Sequence, residues 1–72
     1  MAEAVWDAGD LGCGDLVLEV RRRLAALPPG AVLRVTATDP GAPLDLPAWC
    51  RLTGNALVRA EPPAYWIRRK EG

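Results

Sequence analysis

Three clusters of turn-forming residues, Pro28-Pro29-Gly30, Asp39-Pro40-Gly41 and Pro62-Pro63, cut this chain into four blocks of different periodicity. In the first block a short apolar run, Ala4-Val5-Trp6, precedes the small and acidic stretch Asp7-Ala8-Gly9-Asp10. Helical spacing follows: Leu16, Val20, Leu24 and Leu27 fall at i, i+4, i+8 and i+11, with Val17 at the edge of that face. Glu19, Arg22 and Arg23 lie opposite, and Glu19 can meet both arginines at i+3 and i+4, a pairing worth about 0.2–0.5 kcal/mol. Pro28 stops the helix, because its ring removes a donor and clashes with the preceding turn. The spacing predicts a helix from about Gly14 to Leu27.

The second block, Ala31 to Thr38, alternates. Leu33, Val35 and Ala37 point one way and Arg34, Thr36 and Thr38 the other, the pattern of a strand with one covered face. In the third block Leu46, Trp49, Cys50 and Thr53 share a helical face, and Gly54 stands where a left-handed residue would end the helix. Asp45 ahead of Leu46 and Pro47 resembles an N-cap followed by a first-turn proline, so this helix is expected to begin between Pro43 and Asp45. Two short strands, about Ala56 to Glu61 and Ala64 to Arg69, flank Pro62-Pro63 and are expected to form a hairpin.

The element order is therefore strand, helix, strand, helix, strand, strand. Two amphipathic helices can cover only one face of a four-stranded sheet. The expected fold is α+β: a two-layer α/β sandwich, βαβαββ, with a mixed four-stranded sheet and both helices on one face. The other face would carry Arg34, Thr36, Trp66 and Arg68. With 72 residues the chain reads as a single domain, since a chain of this size buries only about 60% of its unfolded surface and cannot support two cores.

Charge and composition narrow the chemistry. Nine basic and nine acidic side chains give a net charge of zero, so no overall field attracts a nucleic-acid backbone or an anionic membrane. Histidine is absent, which removes the commonest general base and metal ligand together with any Ser-His-Asp or Cys-His arrangement. Two cysteines, Cys13 and Cys50, are too few for a structural zinc site. No metal and no cofactor is expected. The glycines Gly9, Gly12 and Gly14 lack the spacing of a dinucleotide fingerprint, and Gly9-Asp10-Leu11-Gly12 is too acidic for an RNA-binding G-x-x-G loop. The chain shows neither a leader pattern nor a long apolar run, which points to a cytoplasmic protein with free thiols.

Residues alone leave Cys13 two readings, a small inert residue at a helix start or a nucleophile placed where unpaired amides and the helix dipole favour a thiolate. Cys50, on the inner face of the second helix, reads as a buried core thiol. Asp39 and Asp45 read as turn and capping residues rather than a catalytic pair.

Further residues carry a resemblance. Asp7 and Leu11 ahead of Cys13, the helix Val17-Leu18-Glu19-Val20-Arg21-Arg22, and the run from Ala37-Thr38-Asp39-Pro40-Gly41-Ala42 to Asp45-Leu46-Pro47-Ala48-Trp49-Cys50-Arg51-Leu52-Thr53-Gly54 resemble the TusA/SirA-like small sulfur carriers, over roughly Val5 to Arg69. The resemblance implies the βαβαββ sandwich already reached. It also implies that Cys13 carries a persulfide received from a cysteine desulfurase or rhodanese-type donor protein and passes the sulfur to an acceptor protein. Such routes include tRNA thiolation, molybdenum-cofactor supply and sulfur oxidation. Members act as stoichiometric carriers although they are often grouped with the sulfurtransferases; no direct nucleic-acid or membrane partner is implied.

This chain departs from the family beside the cysteine. The family motif is Cys-Pro-x-Pro, and here it reads Cys13-Gly14-Asp15-Leu16. Asp10 replaces a common glycine, and Asn55 stands where many members have histidine. Gly14 should loosen the first turn, and Asp15, with Asp7 and Asp10 nearby, should make the thiol less acidic than that of a proline-bearing relative. Gly14, Asp15, Arg22 and Arg23 are the expected partner-binding residues, the arginine run serving an acidic patch on a donor or acceptor. The competing expectation is a regulatory or protein-interaction module that keeps the fold without the sulfur-transfer chemistry.

Overall fold

Each proline-bounded block forms the element its pattern predicts. The computed structural model describes residues 2–71, and of Cys13 the backbone alone. The elements are β1 (Ala4–Gly9), α1 (Cys13–Ala25), β2 (Val32–Ala37), α2 (Ala42–Thr53), β3 (Ala56–Glu61) and β4 (Ala64–Arg68). The sheet is mixed and four-stranded in the order β1-β2-β4-β3, with β1 parallel to β2 and the other neighbours antiparallel.

One core holds the two layers together. Leu16, Val20 and Leu24 of α1 and Ala42, Leu46 and Cys50 of α2 pack on Leu33, Val35, Ala37, Tyr65 and Ile67 of the central strands. Trp6, Ala8 and Leu57 extend this cluster on the edge strands. The alternation read in β2 is the one observed, with Leu33, Val35 and Ala37 buried and Arg34 and Thr38 exposed. Arg34 stands opposite Trp66 across the β2–β4 pair, and Val32 opposite Arg68, on the face that the helices leave open.

Both helix boundaries shift, for physical reasons. α1 ends at Ala25 because the amides of Ala26 and Leu27 turn back to the carbonyls of Arg23 and Leu24, at 3.3 and 3.0 Å, a tightened last turn before Pro28. α2 corrects the expected start. It begins at Ala42, so Asp45 lies inside the helix rather than at its N-cap, and Pro43, not Pro47, is the first-turn proline. The Asp39 carboxylate takes over by accepting the Gly41 amide at 2.9 Å, and the Asp45 amide donates to the Gly41 carbonyl at 2.9 Å. A Cβ at Gly41 would meet the Asp45 carboxylate at 2.8 Å, so any larger residue there must push that side chain aside. At the other end Gly54, with φ 83°, closes the helix in the left-handed conformation expected for it.

Leu46 is fully buried, whereas Leu44 on the same helix is 78% exposed. Leu46→Ala is expected to lower unfolding free energy by about 2–5 kcal/mol. Leu44→Ala should change it by no more than about 0.5 kcal/mol. Urea denaturation followed by circular dichroism measures both, and equal effects would contradict this packing.

Candidate functional site

Strand direction decides which residues meet. β3 runs antiparallel to β4, which runs antiparallel to β2, so β3 is parallel to β2. Each helix joins two parallel strands and must cross back over the sheet, so α1 and α2 start at the same end of the molecule. That end is closed by Thr38, whose amide and hydroxyl both donate to the Gly9 carbonyl, at 2.9 and 2.8 Å. Gly9 adopts φ 59° there, held by the Asp7 carboxylate accepting its amide at 2.9 Å, so β1 turns sharply into α1.

Cys13 is the first residue of α1, and its side chain lies outside what the structure describes. Gly12 caps the helix without a side-chain hydrogen bond. Gly14 and Asp15 follow in the exposed first turn. Leu16 explains one departure from the Cys-Pro-x-Pro pattern. Its amide donates to the Gly12 carbonyl at 2.7 Å and its side chain is fully buried, so the position supplies a helix hydrogen bond and a core contact that proline could not both make. Around Gly14 a Cβ would meet nothing within 4 Å, so no close contact demands glycine there.

The remaining expected residues fall elsewhere. Arg22 and Arg23 occupy the last turn of α1, about 14 Å along the axis from Cys13 at the helical rise. Glu19 pairs with both as its spacing predicts, at 3.2 and 3.1 Å, and the Arg23 guanidinium also lies 4.4 Å from the centre of the Trp6 ring. Cys13, Gly14 and Asp15 are therefore brought together, and the arginines are not brought to them. What sequence reasoning did not anticipate is the company at the Cys13 end: the Asp39 turn and the first turn of α2, with Asp45, lie at the same end of the molecule as Asp10 and Asp15. The signal was the Asp39-Pro40-Gly41 turn, but its place relative to Cys13 depended on strand order.

Cys50 faces the core and is 2% exposed, as read from its helical position. Burial pushes its thiol up from 9.0 to about 11. Asn55 has a structural task, donating to the Thr53 hydroxyl and accepting the Lys70 amide, both at 2.9 Å, which ties the end of α2 to the segment after β4. Among the described residues there is no group of three or more His, Cys, Asp or Glu side chains able to hold a metal, and no helix long and apolar enough to cross a membrane.

The fold is thus a βαβαββ sandwich whose first helix opens with Cys13. Residues 5–69 match the family described as Sulfurtransferase TusA. The chain is similar to the Sulfur carrier protein TusA of Pseudomonas paraeruginosa, at 38% identity over 94% of this chain and 91% of the relative. It is similar at 40% identity to that of Pseudomonas syringae pv. tomato, over 94% of this chain and 86% of the relative. For the Pseudomonas putida protein the figures are 36%, 94% and 90%. The chain belongs to the TusA family of sulfur carriers.

The raised folded-state pKa of Cys50 has a definite sign. The folded protein holds that proton more tightly than the unfolded chain, so the stability it contributes is complete below about pH 9 and is lost as pH rises through about 11. Burial raises the Tyr65 hydroxyl in the same direction. Urea midpoints are expected to fall across that window, with a shallower fall in Cys50→Val. At pH 8 iodoacetamide should leave Cys50 unmodified in the folded protein and modify it once urea unfolds the chain; mass spectrometry of the tryptic peptides reads the difference.

Proposed function

We propose that this protein is a sulfur-relay carrier that accepts sulfane sulfur as a persulfide on Cys13 and delivers it to an acceptor protein. The Cys13 thiolate attacks the terminal sulfur of a persulfide on a cysteine desulfurase or rhodanese-type donor. A new S–S bond forms at Cys13, the donor's S–S bond breaks, and the donor cysteine leaves as a thiolate; the acceptor then repeats the exchange on the Cys13 persulfide. The sulfur moves without a net change in oxidation state, so no external oxidant or reductant is needed.

The observation that carries this reading is the position of Cys13 at the first residue of α1, behind an N-cap that makes no side-chain hydrogen bond. First-turn amides and the helix dipole at such a position favour negative charge on sulfur, whether thiolate or persulfide. Family membership supports it, and Cys50, buried and hard to ionise, is a poor rival. Gly14 and Asp15, exposed in the same turn, are the residues a docked donor meets first, while Arg22 and Arg23 serve a more distant contact. A cytoplasmic setting agrees with this chemistry, which needs reduced thiols.

A second reading, a protein-interaction module without sulfur transfer, draws on Leu16: with the second motif proline replaced by a core residue, this turn has a purely structural explanation. One experiment separates the two. The purified protein is incubated with cysteine and a cysteine desulfurase, or with thiosulfate and a rhodanese, and its intact mass is measured beside Cys13→Ser. A gain of one sulfur atom, removed by reductant and absent from the variant, is expected. An unchanged mass with every donor, and alkylation of Cys13 no faster than that of Cys50, would favour the interaction module.

Gly14 offers a graded test of the first turn. Gly14→Ala is expected to raise unfolding free energy by about 0.4–1 kcal/mol, because the site is open and alanine restricts the unfolded chain. If a loose first turn aids docking, the stabilised variant should load sulfur more slowly; thermal unfolding and the loading rate are measured on the same preparation.

A further inference from the structure

The face of the sheet opposite the helices holds an arrangement that neither the fold nor a sulfur relay requires. Strand register lays Val5, Arg34, Trp66 and Arg59 in one row straight across β1, β2, β4 and β3. Arg59 reaches that row because β3 bulges between Leu57 and Arg59. Without the extra residue, Val58 would face outward beside Trp66, and Arg59 would point toward the core beside Tyr65.

The row is preorganised for anions. The Arg34 and Arg59 guanidinium carbons lie 5.5 and 5.0 Å from the centre of the Trp66 ring, one on each neighbouring strand. Arg68 stands in the next row on the same face, and a shallow groove of about 340 Å³ runs between Val32, Val58, Arg59, Trp66 and Arg68. Arg59 is paired with Glu61, but among the described residues Arg34 and Arg68 carry no ion pair. A guanidinium held against an aromatic ring keeps its N–H edge free for bidentate binding of a carboxylate.

We propose that this face docks a short, extended, acidic segment of a partner protein, with carboxylates on Arg34 and Arg68 and an apolar side chain on Trp66. Strands about 4.8 Å apart make the row about 14 Å wide, the reach of about four extended residues. A single-stranded nucleic acid fits less well. Trp66 is the one aromatic side chain in the row, so it offers a single stacking surface where such binding uses successive ones. The Asp7 and Glu61 carboxylates in the row toward the Cys13 end repel any anionic chain, so they confine an acidic segment to the rows of Arg34 and Arg68. The site lies on the layer opposite the helices, so it stands or falls independently of sulfur transfer and leaves the Cys13 end free for a second protein.

The test is a fluorescence-anisotropy titration with a labelled peptide of glutamates around a single leucine. Saturable binding is expected, weakening with salt, reduced about tenfold or more by Arg34→Glu or Arg68→Glu and about threefold by Trp66→Leu. Arg51→Glu, exposed on α2 in the opposite layer, should leave it unchanged. Circular dichroism checks that each variant is folded, and Arg34→Ala and Arg68→Ala repeat the comparison without reversing charge. No saturable binding, equal binding of a lysine peptide, an equal loss in Arg51→Glu, or tighter binding of an oligouridylate would overturn the proposal.

Discussion

The parallel pairing of β1 with β2 governs everything else in this molecule. A parallel pair cannot be joined by a tight turn, so the chain must leave β1, cross back as α1 and re-enter as β2. The two hydrogen bonds from Thr38 to the Gly9 carbonyl lock the end where this crossing begins. Because α2 also joins parallel strands, it repeats the crossing, and the two helices lie side by side pointing the same way. Cys13 is thereby held at one end of the molecule, in the first residue of a helix whose inner face is anchored by Leu16, Val20 and Leu24.

Two aligned helices also align their dipoles, placing both positive ends at the end of the molecule that holds Cys13. The side-chain charges run the opposite way. Asp10, Asp15, Asp39 and Asp45 gather at the helix starts, while Arg22, Arg23 and Arg51 lie in the last turns. A net charge of zero thus conceals a polar molecule. Aspartates offset the positive helix ends, arginines offset the negative ones, and a partner approaching Cys13 meets exposed carboxylates together with first-turn amides.

Much of this was legible along the chain. The spacing of Leu16, Val20 and Leu24, the alternation of Leu33, Val35 and Ala37, and Gly54 as a helix stop are local signals, and each forms as read. The Glu19 pairs with Arg22 and Arg23 were visible for the same reason, since helical neighbours are fixed by the helix itself. Asp45 misled because an aspartate before a proline is a strong capping pattern, yet the Asp39 turn supplied the cap earlier and Pro43 was equally acceptable in the first turn. The bulge at Val58 left no mark in the pattern, because a one-residue insertion in an exposed edge strand changes neither hydrophobicity nor length appreciably.

Sequence alone determined the elements, their order, the core faces and Cys13 as the residue to watch, because periodicity, turn chemistry and a family motif all act within a few residues. Only the tertiary structure decided that β4 lies between β2 and β3, that both helices start at the same end of the molecule, and that Arg34 and Arg59 flank Trp66. Those relations join residues far apart in the chain, and they follow from backbone hydrogen bonding between strands, which side-chain patterns constrain to a face but not to a neighbour.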